Sequence, residues 1–206
     1  MYIKDDFLKD FAVVILAAGF SGRMGIPKLS LPFDEHRSFA GKIIQEYLLA
    51  GCKNIVMVVN EPGLQSLKQQ KYFPDKAHVS VILNNYPERE RFFSLQTGLQ
   101  AIRTKMPVFI QNIDNPFINR DLLFRLAKTF RREACIVPRH NGHGGHPVLL
   151  SWEIARDLER SPDWAQNLRD FLQDYPIIGC PVRDENIFIN INSPQEYQKY
   201  FGKAGQ

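Results

Sequence analysis

Three cysteines in 206 residues, Cys52, Cys135 and Cys180, are too few and too far apart for a disulfide framework. Each lies in or beside an apolar run, which predicts small buried hydrophobes in a reducing compartment. No apolar run approaches the ~20 residues that span a bilayer. The opening MYIKDDFLKD is too charged for a secretory signal. These absences point to a cytoplasmic chain with no membrane partner. Internal repeats, low-complexity tracts and linkers are also missing, so residues 1–206 are expected to form one domain, large enough to bury about 70% of its unfolded surface. Charge of one sign is not in large excess either: the net charge is +4 and the basic residues are scattered. The densest group, Lys128 with Arg131 and Arg132, reads as an exposed helix end where cations complement the dipole. Such a balance admits an anionic ligand without requiring nucleic acid.

What is present is an alternation. Short apolar runs occur at 13–16, Asn54–Val59, Val79–Leu83, 108–110 and 135–137. Helical patterns lie between them at 39–50, after Pro62, at 94–102 and at 120–131, with Gly51 stopping the first. This rhythm predicts βαβ crossovers and a mostly parallel sheet covered on both faces. After Pro138 it breaks. A Gly- and His-rich turn leads to a short strand, two polar helices, a last strand at 187–189 and a helix opened by Pro194. The expected fold class is α/β, a Rossmann-like single domain with an irregular second half.

Ligands of such sheets collect at the carboxyl ends of the strands. Three loops that can carry chemistry follow strands in this reading, 17–28, 112–116 and 190–194, and their shared placement argues for one site. The first, within VVILAAGFSGRMGIPK, is the most informative stretch of the chain. Backbone N–H groups from Gly19 to Gly25 can cradle phosphate oxygens. Arg23 adds a planar charged fork and Lys28 a mobile point charge, a set suited to a nucleoside triphosphate. The loop is neither a GxxxxGK[ST] nor a GxGxxG fingerprint. Taken alone, it is either a triphosphate cradle or a surface turn with two solvated cations.

The wider pattern weighs on that choice. LAAGFSGRMGIPK at 16–28 resembles the opening signature of the MobA-like nucleotidyltransferases, particularly the molybdenum cofactor cytidylyltransferases. IDNPF at 113–117 is similar to the family's metal-binding segment, GGHPVLL at 144–150 to its GHPV segment, and ININSPQEY at 189–197 to its closing stretch. The resemblance implies a Rossmann-like nucleotidyltransferase fold and Mg²⁺-dependent transfer of CMP from CTP to a molybdopterin-type acceptor. Pyrophosphate would be released, and a molybdoenzyme would receive the product. Carried over position by position, it implies a nucleotide site of Leu16, Ala17, Ala18, Gly19, Ser21, Gly22, Arg23, Met24, Gly25, Lys28, Asn84, Ser94 and Asp114. Arg23, Lys28 and Asp114 would be catalytic, and Asp114 with Asn192 would hold the metal. Gly145, His146 and Pro147 would shape the acceptor pocket.

Local chemistry is consistent with these assignments. Asp114 sits between a strand and a helix-starting proline, and Mg²⁺ favours one or two carboxylates plus phosphates. Asn190 is the alternative second ligand, or a turn former. The family's cytidylyl members have LAAG where the guanylyl members have LAGG. The methyl of Ala18 would narrow the space for a purine, a discrimination of roughly 1–3 kcal/mol.

The chain also departs from the family. Arg91, Phe92 and Phe93 stand where the family has small residues, and the two phenylalanines either wall the base pocket or join the core. Ser94 is expected to cap the following helix and face the nucleotide. His140, His143 and His146 lie in a glycine-rich loop without cysteine or carboxylate at ligand spacing, which argues against zinc. SPDWAQNLRDFLQDYP lacks the family's Gly-Asp…Gly-Ala-Arg acceptor segment. That leaves open a sugar phosphate or other small phosphate as acceptor, or a nucleotide-binding accessory protein of molybdoenzyme maturation. Retention of Arg23, Lys28 and Asp114 weighs against the accessory reading.

Overall fold

A computed structural model describes residues 6–69, 77–163 and 166–202. Eight strands form one sheet: β1 (Ala12–Ala17), β2 (Asn54–Val59), β3 (Val79–Leu83), β4 (Val108–Asn112), β5 (Cys135–His140), β6 (His143–Gly144), β7 (Val148–Leu150) and β8 (Ile177–Pro181). Their spatial order is β3-β2-β1-β4-β7-β5-β6, with β8 paired to β5. The pairs β1–β2, β1–β4, β2–β3 and β5–β8 are parallel. β7 runs against both β4 and β5, so six strands share one direction and β7 is inserted backwards. The mostly parallel α/β sheet expected from the alternation is present.

Strand periodicity divides the core in two. Val13, Ile15 and Ala17 pack with residues of α1 (Phe39–Leu49) and α4 (Arg120–Thr129) on one face. Ala12, Val14 and Leu16 pack with α3 (Glu90–Gln100) and α5 (Trp152–Arg160) on the other. All six are buried, as a central parallel strand with both faces covered requires. Helix starts follow side-chain chemistry: Ser38, Asn119 and Ser151 each accept from a backbone N–H of the helix they open. Gly51 has φ +87° just beyond α1, a conformation that stops the helix. Glu61–Gln69 forms α2 after β2, Leu168–Phe171 a short α6, and Pro194–Phe201 the C-terminal α7. Among the described residues no helix is long and apolar enough to cross a membrane. All three cysteines are buried and free, and burial pushes the Cys52 and Cys135 thiols up to about 12. Those two are packing residues held as thiols at neutral pH.

Three boundaries differ from the sequence reading. Residues 187–189 are not a strand: Glu185–Phe188 is a 3-10 turn. Asp184 caps it by accepting from Asn186 N–H, and the Asn115 amide donates to the carbonyls of Asn186 and Ile189, at 3.0 and 2.8 Å. A side chain thus satisfies carbonyls that a sheet would otherwise take. The last strand is β8, an edge strand whose apolar run is interrupted by Gly179 and closed by Pro181. The third helix begins at Glu90, so Ser94 lies inside it and is not its cap.

Gly98 brings α3 onto the sheet. A Cβ there would lie 2.5 Å from Val14 Cγ1 and 2.8 Å from Val58 Cγ2. Gly98→Ala is therefore expected to lower stability by about 1–3 kcal/mol, against the gain of about 1 kcal/mol that alanine brings to a helix interior. Urea unfolding checks the sign, and a variant more stable than the parent would contradict this packing.

Candidate active site

The loops after β1 and β4 emerge together because these strands are parallel neighbours, with Leu16 opposite Asn112. The Ile113 N–H continues the ladder by donating to the Leu16 carbonyl at 3.2 Å. Asp114 follows, buried at 7% exposure, and its carbonyl accepts from Ile191 N–H at 2.8 Å. That bond draws the segment before α7 to the site, although no strand precedes it as the sequence reading supposed. Asn192 is held there by Glu196, which accepts its N–H at 2.7 Å and forms a capping box with Ser193.

Lys28 joins the three loops. Its ammonium donates to Asn192 Oδ1 at 2.5 Å and lies 3.7 Å from Asp114 Oδ2. Its backbone N–H donates to Ser21 Oγ, tying the ends of the glycine-rich loop. Burial pushes the Lys28 pKa down, and Arg91 and Arg23 push the same way while Asp114 opposes them. Asp114 Oδ1 is buried without a hydrogen-bond partner, as is Asn190 Oδ1. Unpartnered buried oxygens of this kind fit a hard cation, which takes oxygen ligands. Among the described residues no three His, Cys, Asp or Glu side chains gather in a group that could hold a metal ion.

A cleft of about 470 Å³ opens in front of these groups. Leu16, Ala17, Ala18, Gly19, Ser21, Lys28, Ser94 and Asp114 line it, joined by Phe20, Glu88, Arg91 and Ile113. Gly22, Arg23, Met24, Gly25 and Asn84 do not line it. Arg23 is exposed to solvent, and Met24 packs against the core. Asn84 is buried behind the wall, where its amide donates to Ser94 Oγ at 2.9 Å and its Oδ1 accepts from Tyr86 N–H. Asn60 was missed from sequence. Its amide donates to the Ala18 carbonyl at 3.1 Å while its Oδ1 accepts from Gly63 N–H in α2. An asparagine directly after a strand and before Glu-Pro was the available signal.

A second cleft, of about 720 Å³, shares Leu16 and Arg91 with the first. Gly145 and His146 line it, and Pro147 is buried behind them. Gly145 is needed for close approach, since a Cβ there would lie 2.6 Å from the Ile187 carbonyl oxygen. Phe92 is core, edge-on to Phe171, and reaches this second cleft. Phe93 packs instead with Tyr86 and Arg89. Gln166, Asn167, Leu168, Arg169 and Leu172, from the segment that departs from the family pattern, form another wall.

Asn112 fixes the His146 ring. Its amide donates to Nε2 at 3.0 Å, which requires a neutral imidazole, and Nδ1 is buried without a partner. Burial of the ring lowers the pKa below its ordinary 6.5, Arg91 lowers it further, and Asp114 opposes. The unfolded chain therefore takes up this proton first as the pH falls. The stability His146 contributes is complete above pH ~6.5 and is lost below it. His146→Gln should flatten this loss. Urea midpoints of the two proteins compared from about pH 7.5 to 5.5 check it, and parallel slopes would contradict a neutral buried ring.

Comparison with known proteins agrees with this geometry. Residues 13–178 match the family model of the MobA-like NTP transferase domain. A curated molybdenum cofactor cytidylyltransferase from Escherichia coli K12 is 25% identical over 187 residues, 89% of this chain and 92% of that protein. The crystal structure of Rv0371c from Mycobacterium tuberculosis H37Rv superposes with a TM-score of 0.76 at 21% identity, over 92% of this chain and 96% of that one. The same protein has also been solved in complex with manganese, with a TM-score of 0.69 at 17% identity over 94% of this chain and 99% of that one. A nucleotidyl transferase from Methanothermobacter, Mth528, superposes at 0.73 with 19% identity, over 92% and 94% of the two chains. With a family model that matches residues 13–178, most of its length, the chain belongs to the MobA-like NTP transferase family.

Proposed function

We propose that this protein is a cytidylyltransferase that moves CMP from CTP to a small phosphorylated acceptor of the molybdopterin type. The observation that carries the transferase reading is two clefts meeting at Leu16 and Arg91, one bearing Lys28 and Asp114, the other Gly145 and His146. A donor nucleotide fits the first and an acceptor the second. An acceptor phosphate oxygen attacks the α-phosphorus. The new P–O bond forms as the bond to the bridging oxygen breaks, and pyrophosphate leaves with the electron pair. No general base is needed, because a phosphate monoester is already anionic near neutral pH.

The side chains act by position and charge. Lys28, together with Arg23, holds the β- and γ-phosphates and the charge that develops on pyrophosphate. Asp114, with Asn192 as second ligand and Asn190 as alternative, would hold a divalent ion. Mg²⁺ is the proposed one, and the manganese complex of Rv0371c supports an ion at this fold. Such an ion supplies neutralisation of the triphosphate charge.

Two observations support CTP and a molybdopterin-type acceptor. The curated relative is a molybdenum cofactor cytidylyltransferase, and Ala18 is among the residues lining the nucleotide cleft. One observation favours a different phosphorylated acceptor, such as a sugar phosphate: the departing segment 166–172 lines the acceptor cleft directly.

Pyrophosphate release measured with each NTP and each acceptor separates these readings. Release with CTP and molybdopterin is expected, and release with a sugar phosphate alone would replace the acceptor. Nucleotide-dependent thermal stabilisation without turnover on any acceptor would leave only the accessory reading. Asp114→Ala is expected to abolish turnover with the fold retained, and Lys28→Ala to slow it on the order of 10²–10³-fold. Ala18→Gly should raise GTP use relative to CTP by roughly tenfold or more, and an unchanged ratio would remove Ala18 from base selection.

A further inference from the structure

We propose that Arg91 seats the acceptor's attacking phosphate against the α-phosphorus of the nucleotide. This assignment rests on the transferase reading above. Arg91 lies in the first turn of α3 and borders both clefts, so an anion on either side meets its guanidinium. Its Nη2 is 3.8 Å from Asp114 Oδ2, an ion pair too long for a hydrogen bond, and the side chain is 57% exposed. Among the described residues no hydrogen bond engages its N–H groups, and a planar fork of donors facing a cleft suits a phosphate.

The acceptor cleft itself favours an anion. Arg139 and Arg169 stand on its walls with Arg91, and no aspartate or glutamate is among its described lining residues. Its apolar surface, Phe92, Leu95 and Val148 among others, would take the acceptor's uncharged body. Attack by one phosphate on another brings two anions together. A permanent cation at their junction removes that repulsion and orients the attacking oxygen, while the bond changes are those of the transfer already given. Lys28 serves the leaving side, and Arg91 serves the entering side.

The test titrates the acceptor at saturating CTP with wild type, Arg91→Ala and Arg91→Lys, following pyrophosphate. In Arg91→Ala the KM for the acceptor should rise between about 10- and 100-fold, the scale of a lost charged hydrogen bond. kcat should also fall, and the Kd for CTP measured without acceptor should stay within about threefold. Arg91→Lys should recover part of the loss, having the charge without the fork. Unchanged acceptor kinetics would overturn the proposal, as would a parallel loss of CTP affinity, which would move Arg91 to the nucleotide.

A second measurement needs no acceptor. Inorganic phosphate at fixed ionic strength should raise the Tm of the wild-type CTP complex and not that of Arg91→Ala. Equal rises, or none in wild type, would overturn the assignment. If molybdopterin proves not to be the acceptor, the substrate reading fails alone, and Arg91 is judged on the phosphate arm and on whichever acceptor turns over.

Discussion

The site depends on β1 and β4 lying side by side and parallel. Their register, Leu16 opposite Asn112, sends two loops out at the same edge at the same height. A glycine-rich loop and a buried carboxylate then face one another without either having to reach. Were these strands antiparallel, the two loops would leave from opposite ends of the sheet. Buried parallel strands also demand covering helices on both faces, so the arrangement that creates the site creates the two cores as well.

A network of buried amides stiffens this junction. Gln111, 0% exposed, donates to the carbonyls of Asn112 and Asn115, and Asn115 in turn holds Asn186 and Ile189. Asn112 reaches across to His146. Each such group would cost free energy if buried unpaired, so the donors position backbone that no strand supports. The partners left open, Asp114 Oδ1, Asn190 Oδ1 and His146 Nδ1, lie where ligands are proposed to bind.

Charge is distributed along the same line. Lys28 bonds to Asn192 and faces Asp114, while Arg91 faces Asp114 at a distance and remains half open to solvent. A partly buried ammonium beside two guanidiniums is held in place by a carboxylate, and a bound polyanion would relieve the repulsion among the cations. The acceptor cleft continues this positive surface over an apolar wall.

Much of this was legible in the chain. Apolar runs with β-branched residues predicted β1 to β5, because a strand buried on both faces leaves an uninterrupted signal. Asp114, Lys28 and the Ala17–Ser21 stretch, which line one cleft, were legible as candidates because their motif is local. Asn60 and Arg91 were not, since their roles come from neighbours distant in sequence. Residues 187–189 look like a strand from their apolar run, but an Asp184 cap and long-range bonds from the Asn115 amide and His146 N–H hold this segment as a turn. Ser94 resembled a cap because serine favours caps, but α3 starts earlier and the wall of the cleft uses its hydroxyl. By itself the sequence determined β1 to β5, the helices between them and the glycine-rich loop after β1, all set by periodicity and contiguous residues. Only the tertiary structure decided which side chains share a cleft, because burial, pairing and approach are properties of segments brought together from far along the chain.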